Sequence, residues 1–235
     1  MKAIFLSDAH LRYFADKNYQ DLLNLLKQQE DLDALFLLGD IFEFWLGYDH
    51  LVFSAYVPLL DQLHRLTQQG TRLYFVEGNH DFSMGPYFRD ILNCTVITEQ
   101  AMIQWDNRNL FICHGDLIHP APAYLRLRKL WRSSFVRFLS RLVHPDLVWK
   151  FGIWLSDKSE RKRSHHQPYD PTPWLQEFNT KEITDPCDLI ICGHFHVPVH
   201  FKQHEREVIS LGDWQTRRQY AQLTDGHLSL LSYSE

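Results

Sequence analysis

Five times in this chain a run of apolar residues, of the kind that forms a strand buried on both faces, stops at a cluster of Asp, Asn or His side chains. The densest cluster is Gly78-Asn79-His80-Asp81, one residue beyond Leu73-Tyr74-Phe75-Val76, with three metal-capable or proton-carrying side chains in one turn. A strand buried on both faces needs a layer of structure on each side, so such runs predict an α/β core with polar residues at the carboxyl ends of its strands. Gly, Asn and Asp also make ordinary turns, and a four-residue run alone is a weak signal. The repetition carries the reading.

Taken in order, residues 2 to 7 read as a strand ending at Asp8-Ala9-His10. Alternation along an extended chain would set Asp8 and His10 on one side, a hard oxygen beside an imidazole nitrogen, a mixture suited to Mn, Fe or Zn more than to Mg or Ca. A helix is expected from Tyr19 to Gln29, then a strand from Ala34 to Leu38 closing at Gly39-Asp40, then an aromatic segment in which Glu43 reads as a structural hydrogen-bond partner. A second helix around Leu59 to Leu66 precedes the strand that leads to Gly78. Beyond it the pattern turns to short strands, with a hairpin around Asp106-Asn107-Arg108 whose second arm ends at His114-Gly115-Asp116. The fully apolar run Cys187 to Cys192 ends at Gly193-His194-Phe195-His196, and closing antiparallel strands follow with a turn at Asp225-Gly226.

Asp8, His10, Asp40, Asn79, His80, Asp81, His114, His194 and His196 together offer enough oxygen and nitrogen for two metal ions. Two ions roughly 3.5 to 4 Å apart can clamp the oxygens of a phosphoryl group and supply a nucleophile from water, so no serine or cysteine nucleophile is needed. These five ordered blocks resemble those of the calcineurin-like metallophosphoesterases across nearly the whole chain. The resemblance implies an α/β (α+β) fold, a four-layer αββα sandwich. It further implies Asp8, His10, Asp40 and His196 on one metal and Asp40, Asn79, His114 and His194 on the other, with Asp40 as the bridge. His80 and Asp81 would be the catalytic residues, His80 stabilising the phosphoryl oxygens or protonating the leaving oxygen, and Asn79 and His80 would also touch substrate.

Within that family, Gly39-Asp40-Ile41-Phe42-Glu43-Phe44-Trp45, Asp81-Phe82 and Leu211-Gly212-Asp213-Trp214 resemble the subgroup that cleaves UDP-2,3-diacylglucosamine in lipid A synthesis. The chain departs from that subgroup at His80, where many members carry arginine, and at Pro120-Ala121-Pro122, where they carry an acidic pair. The subgroup has a lid inserted where residues 119 to 184 interrupt the core of 1–118 and 185–235. Here Tyr124 to Leu155 mixes Leu130, Trp131, Phe135, Phe138, Leu139 and Leu142 with Arg128, Lys129, Arg132, Arg137 and Arg141, and reads as a basic amphipathic helix pair broken at His144-Pro145. Such helices lie on an anionic membrane or wall an acyl-chain pocket, whereas the blander reading is a solvated basic face over an apolar core. Trp131, Phe135 and Phe138 are candidates for acyl chains, and Lys158, Ser159, Lys162 and Arg163 for a diphosphate or nucleotide. The insertion is expected to govern substrate choice and to contribute little to hydrolysis itself.

A formal charge of -5 argues against a nucleic-acid partner. Four cysteines without paired spacing suggest a reducing compartment, and no stretch reads as a signal sequence or a membrane span. A cytoplasmic enzyme, peripheral on the inner face of the cell membrane and acting on a nucleotide-linked glycolipid, is therefore expected. The alternative enzyme is a soluble metallophosphoesterase with a nucleotide, phosphodiester or phosphoprotein substrate.

Overall fold

The computed structural model describes residues 1–163 and 170–234, and side chains throughout these except at 159–163. In chain order the first elements are β1 (Lys2–Leu6), α1 (Lys17–Lys27), β2 (Ala34–Leu37), the short β3 (Trp45–Leu46), α2 (Val57–Gln68), β4 (Arg72–Val76), β5 (Asp81–Phe82), β6 (Thr95–Ile97), β7 (Gln100–Trp105) and β8 (Arg108–Cys113). Helices α3 (Pro122–Trp131), α4 (Ser134–Leu142), α5 (Pro145–Arg163) and α6 (Thr172–Lys181) follow. The chain closes with β9 (Leu189–Cys192), β10 (Val199–Gln203), β11 (Arg206–Ser210), α7 (Trp214–Arg217), β12 (Gln219–Thr224) and β13 (His227–Ser232).

Among the described residues these strands form a six-stranded sheet in the order β13-β12-β1-β2-β4-β6 and a five-stranded sheet in the order β10-β11-β9-β8-β7. β1, β2 and β4 run parallel, as do β8 and β9, so their carboxyl ends emerge together. Both sheets are mixed, because β12 joins β1 antiparallel and β7 joins β8 antiparallel.

Alternation along each strand divides the core into layers. Ile4, Leu6, Leu35 and Leu37 pack with Leu22, Leu26 and Leu63 of α1 and α2, while Ala3, Phe5, Ala34 and Phe36 pack with Leu110, Ile112, Leu189 and Ile191 of the other sheet. Phe36 is stacked between Phe5 and Tyr74 at 4.5 Å on each side, an apolar ladder across three parallel strands. Phe111, Cys113, Ile190 and Cys192, on the outer face of the second sheet, pack with Leu175 and Phe178 of α6. Helix α6 thus supplies the fourth layer, although the sequence reading counted it within the insertion. Its Leu175 and Phe178 recur at a three-residue interval and cover the sheet as any core helix does.

The remaining insertion is three helices where a pair was expected. The Ser133 hydroxyl accepts the Val136 backbone N–H and caps α4, a break hidden in the sequence by apolar residues on both sides. Neither α3 nor α4 has a buried residue, and Phe135 and Phe138 are 64% and 60% exposed. An apolar core beneath a solvated basic face does not describe these two helices. Among the described residues no helix is long and apolar enough to cross a membrane.

Candidate metal centre

Just past the parallel strands the backbone leaves extended geometry. Asp8 (φ 52°), His10 (φ 45°), Asp40 (φ 54°), His194 (φ 70°) and His196 (φ 57°) are all left-handed, a conformation costing roughly 1–2 kcal/mol for an ordinary L-residue. Strand alternation, invoked from the sequence, is therefore not what aims Asp8 and His10. The segments after β1 and β2 are zipped together instead: the N–H groups of Asp8, His10 and Leu11 donate to the carbonyls of Gly39, Asp40 and Ile41 at 3.1, 2.9 and 2.9 Å. Strain held by such bonds concentrates at sites that need a fixed geometry.

Each inner carboxylate has one oxygen fixed by backbone and one aimed at the cluster. Asp8 Oδ2 accepts from the His194 N–H at 2.9 Å, while its buried Oδ1 has no hydrogen-bond partner and stands 3.4 Å from His196 Nε2. Asp40 Oδ1 accepts from the His80 N–H at 2.9 Å, leaving Oδ2 between His114 Nε2 at 3.5 Å and His10 Nε2 at 3.9 Å. Gly78 is required beside it, because a Cβ there would lie 2.2 Å from Asp40 Oδ1 and 2.5 Å from its backbone nitrogen.

The imidazoles are oriented by their outer nitrogens. His114 Nδ1 lies 2.8 Å from the Leu38 carbonyl and donates to it, so Nε2 faces inward. His10 presents Nδ1 to Glu43 Oε2 at 3.5 Å and leaves Nε2 buried with no hydrogen-bond partner. Asn79 Oδ1 lies 3.1 Å from both His114 Nε2 and His194 Nδ1. His194 and His196 part company, one toward Asn79 and the other toward Asp8. Asp8, His10 and His196 thus gather on one side and Asn79, His114 and His194 on the other, with Asp40 between them. Among the described residues, ligand atoms within 4.8 Å of one another occur in Asp8–His10–His196, in His10–Asp40–His80 and in Asp8–Asp40–His114.

Charge follows from this packing. Burial works against ionisation of Asp40, but His114 and His80 outweigh it and hold its carboxyl well below the usual range. Burial likewise opposes Asp8, and His196 and His114 keep it lowered. His10 is penalised by burial yet pushed up to about 9 by Glu43, Asp40 and Asp8, which marks the spot as one that draws positive charge. Burial and neighbouring His114 push His194 down to about 4, so it offers a neutral nitrogen. Anionic oxygens, the neutral nitrogen of His194 and unpartnered buried ligand atoms fit divalent cations.

Asp81 occupies a different place from the one expected of a group that meets substrate. It is fully buried and its oxygens accept the N–H groups of Asp40, Ile41, Phe42 and Gly78 at 2.7 to 3.1 Å, which leaves it a scaffold for the Asp40 turn. His80 does border the cluster, and its Nδ1 lies 3.0 Å from the Glu43 carbonyl, so that nitrogen carries the proton. Burial lowers its pKa, leaving a neutral ring at pH 7.

Of the substrate candidates, Lys158 lies 5.2 Å from the Trp154 ring and Trp131 6.3 Å from that of Phe151, while Phe135 and Phe138 point outward. The side chains of Ser159, Lys162 and Arg163 lie outside the described residues. Arg12, Ser156 and Asp157 had no role in the reading of the sequence, and Arg132 figured there only as part of a basic helix face. Arg132 donates to Glu77 at 2.6 Å and to the Gly78 carbonyl at 2.8 Å, and Arg128 reaches Asp116 at 3.0 Å, so α3 is latched beside two of the polar blocks. Arg12 was the one legible signal, a cation two residues beyond His10.

The family of calcineurin-like phosphoesterases matches residues 1–198. Relatives named UDP-2,3-diacylglucosamine hydrolase include those of Pasteurella multocida (30% identical over 91% of this chain and 90% of its own length), Vibrio cholerae serotype O1 strain O395 (28%, 99% and 97%) and Pseudomonas savastanoi pv. phaseolicola (26%, 98% and 95%). Among solved structures, a novel archaeal phosphodiesterase is similar at a TM-score of 0.52, covering 98% of this chain and 99% of its own at 14% identity, a likeness of fold.

Proposed function

This chain belongs to the calcineurin-like phosphoesterase family and is a metal-dependent phosphoester hydrolase, and from that premise we propose that it cleaves the diphosphate of UDP-2,3-diacylglucosamine to 2,3-diacylglucosamine 1-phosphate and UMP. The observation that carries the substrate is the insertion: α3 and α4 bury none of their residues, expose Leu130, Phe135, Phe138 and Leu142, and are latched by Arg132 to the carbonyl of Gly78. An apolar surface fixed beside a phosphoryl site suits a substrate with acyl chains at one end and a diphosphate at the other. The near full-length match to relatives that bear this activity as their name supports the same reading.

One divalent cation is assigned to Asp8, His10, Asp40 and His196, and a second to Asp40, Asn79, His114 and His194. Such cations supply a nucleophile from water at neutral pH and neutralise phosphoryl charge; Mn fits this oxygen and nitrogen mixture, as do Fe and Zn. Asp40 holds the two sets together through the single inward oxygen that His10 and His114 share. Asn79 fixes the second set by its contacts to both His114 and His194.

His80 enters the reaction neutral, with its Nδ1 proton on the Glu43 carbonyl, so Nε2 is an acceptor until a second proton arrives. An anionic diphosphate beside the ring raises its pKa, and the resulting cation either stabilises the phosphoryl oxygens or returns its proton to the departing oxygen. The basic, apolar faces of α3 and α4 would seat the enzyme on an anionic membrane surface, where its lipid substrate resides.

The deciding experiment is turnover of UDP-2,3-diacylglucosamine by Mn-reconstituted protein with products identified by mass spectrometry. UMP and the acylated sugar 1-phosphate are expected. Hydrolysis of simple phosphodiesters without the lipid nucleotide would replace this reading by that of a soluble metallophosphoesterase.

A further inference from the structure

The insertion touches the metal centre at a second place, through α5. Gly152 of α5 lies against the Phe44 ring so closely that a Cβ would stand 2.4 Å from it, and this contact brings the following turn down on Glu43. There the Ser156 hydroxyl, 5% exposed, donates to Glu43 Oε1 and stands 3.5 Å from His80 Nδ1. Asp157, the next residue, accepts from Arg12 Nη1 at 2.6 Å, and Arg12 Nη2 donates to the same Glu43 oxygen at 3.2 Å. Glu43 is 2% exposed, presents Oε2 to His10 Nδ1 at 3.5 Å and gives its carbonyl to His80.

We propose that the Ser156–Asp157 turn of α5 is a positioning element for the metal centre, acting through Glu43 and Arg12 on the ring orientations of His10 and His80. Glu43 is a carboxylate behind an imidazole whose other nitrogen faces the cluster, the arrangement by which an outer partner fixes tautomer and orientation of a metal-binding histidine. Such a carboxylate is useful only when it is itself held. Its Oε1 is held by one group from the core, Arg12, and one from the insertion, Ser156, while Asp157 fixes Arg12 in turn. Removing the insertion's half of this arrangement leaves a buried carboxylate with one support and lets both imidazoles rotate. The insertion then does more than choose a substrate, because the site is complete only with α5 docked.

This inference rests on the assignment of His10 as a metal ligand, and its test is independent of the lipid substrate. In the full-length protein, Ser156→Ala/Asp157→Asn is compared with the parent for Mn affinity, by competition with a fluorescent chelator, and for steady-state hydrolysis of bis(p-nitrophenyl) phosphate. Affinity or kcat should fall 10- to 100-fold, the range for loss of an outer-sphere partner, with KM unchanged and Ser156→Thr retaining most of the parent's values. Arg65→Ala, at an exposed ion pair with Asp61 on the surface of α2, should match the parent in both measurements. Affinity and kcat both within twofold of the parent overturn the proposal and leave the metal assignment standing, whereas a parent that binds no Mn overturns both. Should the double variant fail to fold, Ser156→Ala alone, which keeps the Asp157–Arg12 pair, gives the same reading from metal affinity.

Discussion

The carboxylate of Asp81 accepts the backbone N–H of Asp40 at 2.8 Å, tying together two blocks that lie 41 residues apart in the chain. The same side chain takes the N–H groups of Ile41 and Phe42, so the left-handed turn that aims Asp40 is built on Asp81. Asp81→Ala leaves several buried N–H groups without an acceptor, at about 1–3 kcal/mol each before relaxation. A loss of about 3 kcal/mol in urea unfolding is expected, with metal binding falling in step. Asp81→Asn should lie between the two, since an amide offers one accepting oxygen where two are used. An Asp81→Ala protein with parental stability and metal content but no turnover would return Asp81 to a role in chemistry.

Asp40→Ala should abolish turnover more completely than His194→Ala or His196→Ala, because each histidine belongs to one ligand set while the inward oxygen of Asp40 faces both His10 and His114. Circular dichroism should remain parental. Two equivalents of bound metal and a near-normal rate in Asp40→Ala would remove it from this position.

His80→Ala should keep most of the metal and lose activity by roughly 10² to 10⁴ if the ring is the general acid. Across a series of esters the loss should then grow as the leaving group becomes poorer. A uniform loss along the series points to stabilisation of the phosphoryl oxygens instead, and an unaltered rate would end both roles.

Replacing Trp131, Phe135 and Phe138 together by Ser should sharply lower kcat/KM for the diacylated substrate and weaken binding to anionic vesicles. Hydrolysis of a small water-soluble diester should hardly change. Burial gives about 0.8 kcal/mol per methylene, so a few methylenes held on these rings amount to orders of magnitude in specificity. Equal losses on both substrates would show that the rings support the core rather than a lipid.

The polar blocks were readable because their side chains are rare at the ends of apolar strands, and the Asp, Asn and His side chains singled out there lie close together. The reason offered for it was incomplete: strand alternation cannot account for Asp8 and His10, which converge through paired left-handed turns. Asp81 carried the residue type of a catalytic group, and only its four backbone donors distinguish it as scaffold. Ser156 and Asp157 were invisible because a serine and an aspartate at the end of a charged helix read as solvent-facing until the contact with Glu43 and Arg12 is seen. Helix α6 was counted within the insertion because it follows α5 in the chain, while packing puts Leu175 and Phe178 against the second sheet.

The pairing of β1 with β12, Lys2 opposite Thr224, has a consequence for biosynthesis. β1 waits for a strand more than two hundred residues further along the chain before its second edge is covered, and His194 and His196 follow it at a similar distance. Contacts this distant in the chain form slowly, and the partly made protein carries the apolar residues of β1 with one flank open. Metal capture by the full proposed ligand set must therefore wait for residues 194 to 196, and a ribosome-bound chain stalled before residue 194 should bind the cation far more weakly than the released protein.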